Sequence, residues 1–172
     1  MKRDPVHEWR EQYARHGTQL GFQPSTDGRF YSSVQAIFDV PRVVRMKLSP
    51  GLLFRDENMI RDRDDRLSLV MTQSSNYNIW HRRRELCLAR GDAAVFQADA
   101  PGKSASATGL SVIEICMPQT EWNARGVRAG DFLMRTVRRE TEGLRLLCDY
   151  IRSLEADGAS FTTAARDVIA AT

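Results

Sequence analysis

The chain has 172 residues, which suits one domain of about 150 residues with a helical appendage, and 42% of its residues are hydrophobic, enough to bury a core. The net charge is +3 and the pI is near 9.0, but 25 Lys and Arg residues are interleaved with 22 Asp and Glu residues. A phosphate backbone selects a one-sided basic stripe, so this balance does not indicate nucleic-acid binding by this segment. No stretch reaches the roughly 20 apolar residues of a membrane span, and we expect no membrane partner.

The three cysteines, Cys87, Cys116 and Cys148, are an odd number without paired spacing, and they lie in apolar segments. This usage is typical of small buried hydrophobic residues in a reducing compartment. Residues 1–10 contain no apolar run of the kind that an export signal needs. We therefore expect a cytoplasmic protein.

A short helix is predicted near the N-terminus. Asp4 can cap this helix, and Pro5 suits its first position. Trp9 and Tyr13 fall four residues apart and so share one helix face, and Gly17 marks the expected end. These residues predict a helix with one aromatic face.

After a turn region at 24–28, the pattern changes to short runs that alternate or are rich in β-branched residues. The predicted strands are Tyr31 to Val40, Val43 to Leu48, Leu67 to Thr72, Tyr77 to Arg82, Glu85 to Leu88, Ala93 to Gln97, and Leu110 to Met117. Several strands are apolar on both faces, which a strand needs when one face lines an enclosed space and the other packs on a second element. We therefore predict an antiparallel β-barrel partly covered by helices, with Gly91 in a turn between strands.

From Asp131 the apolar spacing becomes seven, three and four, the pattern of a helical seam. The seam residues are Leu133, Val137, Leu144, Leu147, Ile151 and Leu154. This pattern fits two arrangements equally well, a helix that packs on its own barrel and the dimerisation seam of a homodimer. The segment at 156–159 closes this helix. A further helix begins at Ser160 or Thr162 and reaches Thr172 without a stop signal, so we expect the natural protein to continue beyond it.

Little in the sequence indicates catalysis. Of the histidines His7, His16 and His81, only His81 lies in a predicted strand, where we expect it to pack or to form a hydrogen bond. A metal site in a small barrel usually combines two or three histidines with a carboxylate, and no such spacing is found. Nucleophile and phosphate-loop motifs are missing too. We expect no catalytic residues, no metal, no cofactor and no enzymatic activity.

Apolar side chains are better functional candidates, because a small-molecule site is a concave and mostly apolar pocket. Trp80 would offer such a site a rigid stacking face and a donor. The basic run His81–Arg84 is expected to be a solvated hairpin tip, with Arg82 kept as a candidate ligand contact. The candidate ligand-binding residues are Met46, Met71, Trp80, Arg82, Phe96 and Cys116. The alternative is that these side chains form an ordinary filled core.

The order of three segments resembles the N-terminal effector-binding domain of AraC/XylS-type transcriptional regulators. The segments are Asp65–Met71, Leu88–Phe96 and Leu110–Trp122. Their recurring motifs stand here as Leu67-Ser68-Leu69, Arg90-Gly91-Asp92, and Met117-Pro118-Gln119 followed by Trp122. The resemblance covers most of the chain.

The resemblance implies a mainly β fold with helices, a cupin-like antiparallel β-barrel of jelly-roll type, preceded by a short helix and followed by a helical dimerisation segment. The expected parts are 1–22, an N-terminal helix and lead-in; 23–122, the barrel; and 123–172, the helical segment. It also implies a homodimer, a small-molecule effector in the barrel, and DNA binding through a C-terminal domain absent from this chain. The alternatives are a stand-alone cupin-type enzyme and a ligand-free dimerisation barrel.

Overall fold

A computed structural model describes residues 4–15, 18–25, 29–39 and 42–157. The helices are α1 (Pro5–Ala14), α2 (Gln119–Ala124), α3 (Ala129–Phe132) and α4 (Glu142–Asp157), with a 3₁₀ turn at Met59–Asp62. The strands are β1 (Gly21–Pro24), β2 (Ser32–Asp39), β3 (Arg42–Leu48), β4 (Gly51–Arg55), β5 (Leu67–Thr72), β6 (Tyr77–His81), β7 (Arg84–Leu88), β8 (Ala93–Gln97), β9 (Gly102–Ser106), β10 (Leu110–Met117) and β11 (Thr136–Val137). No helix in the described part of the chain is long and apolar enough to cross a membrane.

The strands form two antiparallel sheets. One has the order β1-β4-β9-β6-β7, and the other has the order β11-β8-β5-β10-β3-β2. Their inner faces meet in a shared core, where Met46 and Leu48 of the second sheet pack with Leu53 and Ile79 of the first. The predicted antiparallel β-region is confirmed, but within the described residues the sheets face each other without joining into a closed barrel.

Helix α1 is the predicted N-terminal helix. The Asp4 side chain accepts a hydrogen bond from the Val6 amide at 3.0 Å, and Pro5 occupies the first turn. The rings of Trp9 and Tyr13 stack with centroids 5.7 Å apart, and both side chains are buried in the core between the sheets. The helix ends at Ala14, and the predicted end at residue 17 lies outside the described residues.

Within the described residues the predicted strands are all present, although the predicted end at Val40 lies outside them, and four further strands were not foreseen: β1, β4, β9 and β11. Apart from Lys103, the segment Gly102–Ser106 consists of glycine, serine and alanine. It contains no β-branched residue that would predict a strand. Its pairing with β4 and β6 makes it a strand. Tertiary pairing therefore sets these strands where local propensity does not.

Strands β5 and β10 have two distinct apolar faces, as predicted. Val112 pairs with Thr72 on the inner face, and the next pair, Ile113 with Met71, lies on the outer face. The inner face meets the other sheet, whereas the outer face meets α4. Both faces of the six-stranded sheet are therefore buried at its centre.

The prediction of one seam helix from Asp131 to Leu154 is wrong in its first part. Leu133 follows the short helix α3, and Val137 lies in β11, which pairs with the edge of β8. Helix α4 begins only at Glu142. Backbone pairing with a free sheet edge thus replaces helix in the segment before α4.

The seam residues within α4 pack on the chain's own sheet. Leu144 and Ile151 are buried against Val43, Ile113 and Ile115, and Leu147 is partly buried beside them. Leu154 is buried too, and Arg45 Nε of β3 donates to the Glu155 carboxylate at 2.9 Å near the helix end. The own-barrel arrangement left open by the sequence is therefore present. The predicted helix at 160–172 lies outside the described residues.

Asp92 joins the β7–β8 turn to the segment that leads into α4. Gly91 has φ +91°, and the buried Asp92 carboxylate accepts from the Ala89 amide at 3.3 Å. The same carboxylate accepts from the Arg139 amide at 3.1 Å and from Arg138 Nη1 at 2.9 Å. The Arg-Gly-Asp motif therefore fixes both a tight turn and the start of the helical segment.

We predict that Asp92→Ala lowers the free energy of unfolding by about 1.5–3 kcal/mol, because it leaves the two amide donors without their carboxylate acceptor. Urea unfolding followed by circular dichroism measures this. Asp131→Ala, which removes an exposed carboxylate, is the matched control and should change stability by less than about 0.5 kcal/mol. Equal effects of the two substitutions would show that Asp92 does not hold the turn.

Candidate functional site

A cavity of about 120 Å³ lies between the two sheets and is partly open to solvent. Its walls are mostly apolar and aromatic, with polar groups from both sheets and from α1. The apolar and aromatic lining includes Tyr13, Leu20, Met46, Leu53, Phe54, Val70, Tyr77, Ile79, Trp80, Phe96, Ala98 and Val112. A concave apolar space with a few polar groups is the usual form of a small-molecule site.

Glu114 places a carboxylate in this cavity from the middle of β10. The residue is only 6% exposed, and its Oε2 accepts a hydrogen bond from the Tyr13 hydroxyl of α1. Burial, and then the charge of Glu114, raises the pKa of Tyr13 well above its ordinary value. The phenol therefore keeps its proton and remains the donor. Among the described residues, no other hydrogen bond reaches this carboxylate.

His81 enters the cavity from β6 of the facing sheet. The residue is 6% exposed, and its ring meets Phe96 edge-on with centroids 6.1 Å apart. The backbone carbonyl of Pro101 accepts the imidazole hydrogen bond, and Gly102 leaves room beside Nδ1, where a Cβ atom would stand only 2.8 Å away. The buried Nε2 has no hydrogen-bond partner among the residues that the structure describes. We assign the proton of the neutral ring to Nδ1, on the side of Pro101, and Nε2 is then an unpaired acceptor.

Two other polar side chains of the cavity already bind each other. The Tyr77 hydroxyl donates to Ser104 Oγ at 2.9 Å across β6 and β9. Burial raises the pKa of Tyr77 to about 12, although the bond to Ser104 opposes this shift. The phenol stays protonated, and its donor is already in use.

The cationic side chains at the cavity are also engaged. The guanidinium of Arg55 donates to the Ala98 carbonyl at 2.7 Å, to the Gln19 carbonyl at 2.9 Å and to Asp62 at 2.6 Å. Asp62 has a lowered pKa: burial alone would raise it, but the bonds from Arg55 and a backbone amide outweigh that effect. Lys103 Nζ lies 5.3 Å from the Trp80 ring centroid.

Three of the six predicted ligand-binding residues border the cavity. Met46 and Phe96 lie on inner faces of the six-stranded sheet, as expected. Trp80 also borders the cavity, but alternation along β6 directs its ring away from the core, toward Lys103. Its predicted role as a stacking face inside the barrel therefore does not fit its orientation.

The other three predicted residues do not line the cavity. Met71 lies on the outer face of its sheet, with its sulfur 3.8 Å from that of Cys148 in α4. Cys116 is buried on the inner face beside Ser68, and burial with the Glu114 charge raises its thiol pKa to about 11. The other two cysteines were also predicted to be buried. Cys148 is half-buried, and Cys87 is exposed, so the prediction is wrong for Cys87.

Arg82 lies next to the cavity without lining it. It has φ +50° in the two-residue hairpin turn, and its guanidinium pairs with Asp99 at 2.6 Å. The same Nη2 donates to Gln97, a lining residue, at 3.2 Å. The predicted hairpin turn is present at Arg82 and Arg83, but His81, which was expected in the solvated tip, is buried. Within the described residues, Arg82 reaches the cavity wall through Gln97.

The buried polar residues of the cavity were not in the predicted site. Glu114 had a signal in the sequence, since it is the one charged residue in the run Leu110–Met117. His81 was expected only to pack or to form a hydrogen bond. Tyr13 had no signal, because nothing local shows that a helix from the N-terminus reaches a strand 101 residues later. Within the described residues, no three His, Cys, Asp or Glu side chains are grouped to hold a metal ion.

Comparison with known proteins relates the chain to solved structures. No family model matches the sequence, and no curated protein does. The chain is similar to the AraC-like transcriptional activator CuxR, with a TM-score of 0.71 and 15% identity over 97% of this chain and 66% of that one. The cupin domain of an XRE family regulator from Enterobacter cloacae gives a TM-score of 0.40 at 15% identity, over 51% of this chain and 98% of that one. An RmlC-like cupin protein from Desulfovibrio desulfuricans gives 0.40 at 11% identity, over 56% and 94%.

The likeness to CuxR extends over almost the whole chain, but at 15% identity it shows the fold alone. With the sheet order above, it confirms the predicted fold class, a mainly β, cupin-like jelly roll with a helix before it and helices after it. This chain spans slightly less than two thirds of the CuxR structure.

We predict that acidification destabilises the protein through His81. Burial, and then the charge of Arg82, lowers the pKa of His81 below its ordinary value of about 6.5, so the unfolded chain binds the proton more readily. The unfolding free energy should therefore fall as the pH drops below about 6.5. Urea titrations between pH about 7.5 and about 5.5 measure this slope.

The variant His81→Gln should have a smaller slope over the same range, because it removes the buried titrating group. His7→Gln, which removes an exposed imidazole on α1, is the control for the substitution, and the slope should decrease more in His81→Gln than in this variant. An unchanged slope in His81→Gln would assign the pH dependence to other groups.

Proposed function

We propose that this chain is the effector-sensing and dimerisation domain of a DNA-binding transcriptional regulator of the AraC/XylS type. The effector is a small organic molecule that binds in the cavity between the sheets. The observation that carries this proposal is the pair of buried polar groups, Glu114 and His81, that face the cavity from opposite sheets. Buried polar groups in proteins almost always have partners, so an occupant of the cavity is expected to supply them.

The overall architecture supports this class of function. The cavity lies in a fold shared with an AraC-like activator. In the proposed protein, DNA is bound by a C-terminal domain outside this chain, so no residue here is assigned to base recognition. The role is regulatory rather than enzymatic, and it requires no cofactor.

Dimerisation is assigned to the outer face of α4. Leu144 and Ile151 are committed to the chain's own core, so they are not available to a partner. Leu146 is 64% exposed and Tyr150 is 45% exposed, and their spacing of four residues puts them on one face. A second copy of α4 can cover both side chains symmetrically, which is the usual form of a homodimer interface.

We predict that a small organic molecule raises the thermal unfolding midpoint of the purified chain, and that above the dissociation constant the rise grows with the logarithm of ligand concentration. At about 100 times the dissociation constant the stabilisation is about 2.7 kcal/mol, or about 5–10 °C for a domain of this size. A panel of organic acids, sugars, amines and lipids tests this, with metal content determined on the same sample.

The variant Val70→Phe fills part of the cavity and should lose the ligand-dependent shift. Val127→Phe makes the same change between α2 and α3, away from the cavity lining, and should keep it. If no compound shifts the midpoint and no metal is found, the chain is better described as a ligand-free dimerisation barrel. Stoichiometric metal would favour a cupin-type enzyme instead.

We predict that the double substitution Leu146→Glu, Tyr150→Glu gives a folded monomer, because it places like charges at the proposed interface. Sedimentation velocity measures the mass and circular dichroism the fold. Leu144→Glu is the matched change on the buried face of α4. It should lower the free energy of unfolding by about 2–5 kcal/mol or more, because losing a buried leucine side chain alone costs that much. A dimer that survives the double substitution would place the interface elsewhere.

A further inference from the structure

The chemistry of the cavity narrows the class of effector, an inference that rests on the proposed function. Glu114 is only 6% exposed and brings a carboxylate to the cavity wall, and its partner Tyr13 supplies only a neutral donor. A buried charge costs several kcal/mol unless an opposite charge or several hydrogen bonds compensate for it. The cavity is therefore short of positive charge beside Glu114.

Arg66 and Arg55, two cations of this region, are each paired with another carboxylate. Arg66 is within electrostatic range of Glu114, but its Nε donates to Asp64 at 2.8 Å and its Nη2 at 2.5 Å. Burial alone would raise the pKa of Asp64, but the hydrogen bonds from Arg66 and Thr18 lower it to about 2. The charges of Arg66 and Asp64 therefore largely offset each other. Arg55 is held by Asp62 and two backbone carbonyls.

On the facing sheet, His81 supplies a second acceptor rather than a donor. Its Nδ1 side faces Pro101 and Gly102, which leaves the lone pair of Nε2 buried and without a partner. An anionic ligand would meet the carboxylate of Glu114 and the lone pair of His81, and both would repel it. A ligand with N–H or O–H donors at two points would satisfy both groups.

The aromatic walls favour a positive charge as well. Tyr13, Tyr77 and Phe96 all line the cavity. The face of an aromatic ring attracts an organic cation by about 0.5–2 kcal/mol, more when the site excludes water. The apolar lining also suits a short carbon chain between two polar ends.

We propose that the effector is a small organic cation, an amine whose ammonium group pairs with the carboxylate of Glu114. A second N–H or O–H of the same molecule donates to Nε2 of His81. The ligand class is thus a short diamine or amino alcohol, and carboxylic acids and phosphates are rejected.

Four compounds that share a four-carbon skeleton and differ in their end groups test this assignment of the ligand class. The probes are putrescine, 4-aminobutanol, butanediol and succinate, each titrated into the purified wild-type chain by calorimetry and thermal unfolding. The two amines should bind and raise the unfolding midpoint, butanediol should bind at least about tenfold more weakly because it lacks the charge, and succinate should not bind.

Variants locate the effect. Glu114→Gln keeps the shape and removes the charge, and should weaken amine binding by about 10- to 100-fold. Tyr13→Phe keeps the carboxylate and frees its Oε2, so it should retain amine binding even if it lowers stability. His81→Phe should weaken both amines. Glu121→Gln changes an exposed carboxylate on α2 and should have no effect.

The outcomes separate this inference from the proposed function. Strong binding of succinate, or equal binding of butanediol and the amines, would overturn the cation assignment and leave the sensing role intact. Amine binding that Glu114→Gln does not weaken would also overturn it. If neither these probes nor the wider panel shift the unfolding midpoint, the proposed sensing function itself is wrong.

Discussion

The six-stranded sheet must be covered on both faces, and the rest of the molecule is arranged to do this. Its inner face packs on the five-stranded sheet and α1, and its outer face packs on α4. This explains why β10 carries apolar residues on both faces, with Val112 inside and Ile113 outside. Burial of a large aliphatic side chain contributes about 1.5–3 kcal/mol, so exposing either face would cost much of the stability of a domain this size.

The same constraint makes the cavity unusual. A sheet interior of this kind is normally filled by apolar side chains at close-packed density. Here the middle of β10 carries Glu114, and the facing strand carries His81, while the space between them stays open. The protein gives up apolar packing and accepts two buried polar groups at this point. Sites that break local packing rules in this way are commonly functional.

The sequence predicts the parts of the fold that depend on local pattern. Asp4 and Pro5 identify α1, and alternation identifies the two faces of β5 and β10, because both signals act between near neighbours. The segment before α4 was predicted as helix because Leu133 and Val137 fit a helical period, yet strand pairing with β8 decides its structure. Pairing at a sheet edge depends on residues that are distant in sequence, so the local spacing of apolar residues cannot predict it.

For the site, the sequence predicts a cavity between apolar strands but not the polar residues that line it. Alternation shows that Met46 and Met71 each share a face with their neighbours, but not which face points inward. The register supplies that choice: Met46 pairs with Val112 of the inner face and Met71 with Ile113 of the outer face. The contact between Tyr13 and Glu114 joins segments that only the folded topology brings together.

The position of β10 also bears on how a signal would leave the cavity. Glu114 faces the cavity, and its chain neighbours Ile113 and Ile115 face α4, so one strand separates the cavity from the helix. A ligand changes the proportion of two arrangements only by the difference in its affinity for them. The contacts that could carry such a difference are those between Ile113, Ile115 and the buried face of α4, because the outer face of that same helix carries Leu146 and Tyr150. The cavity, the central strand and the proposed dimer surface therefore lie in consecutive layers of one packed unit.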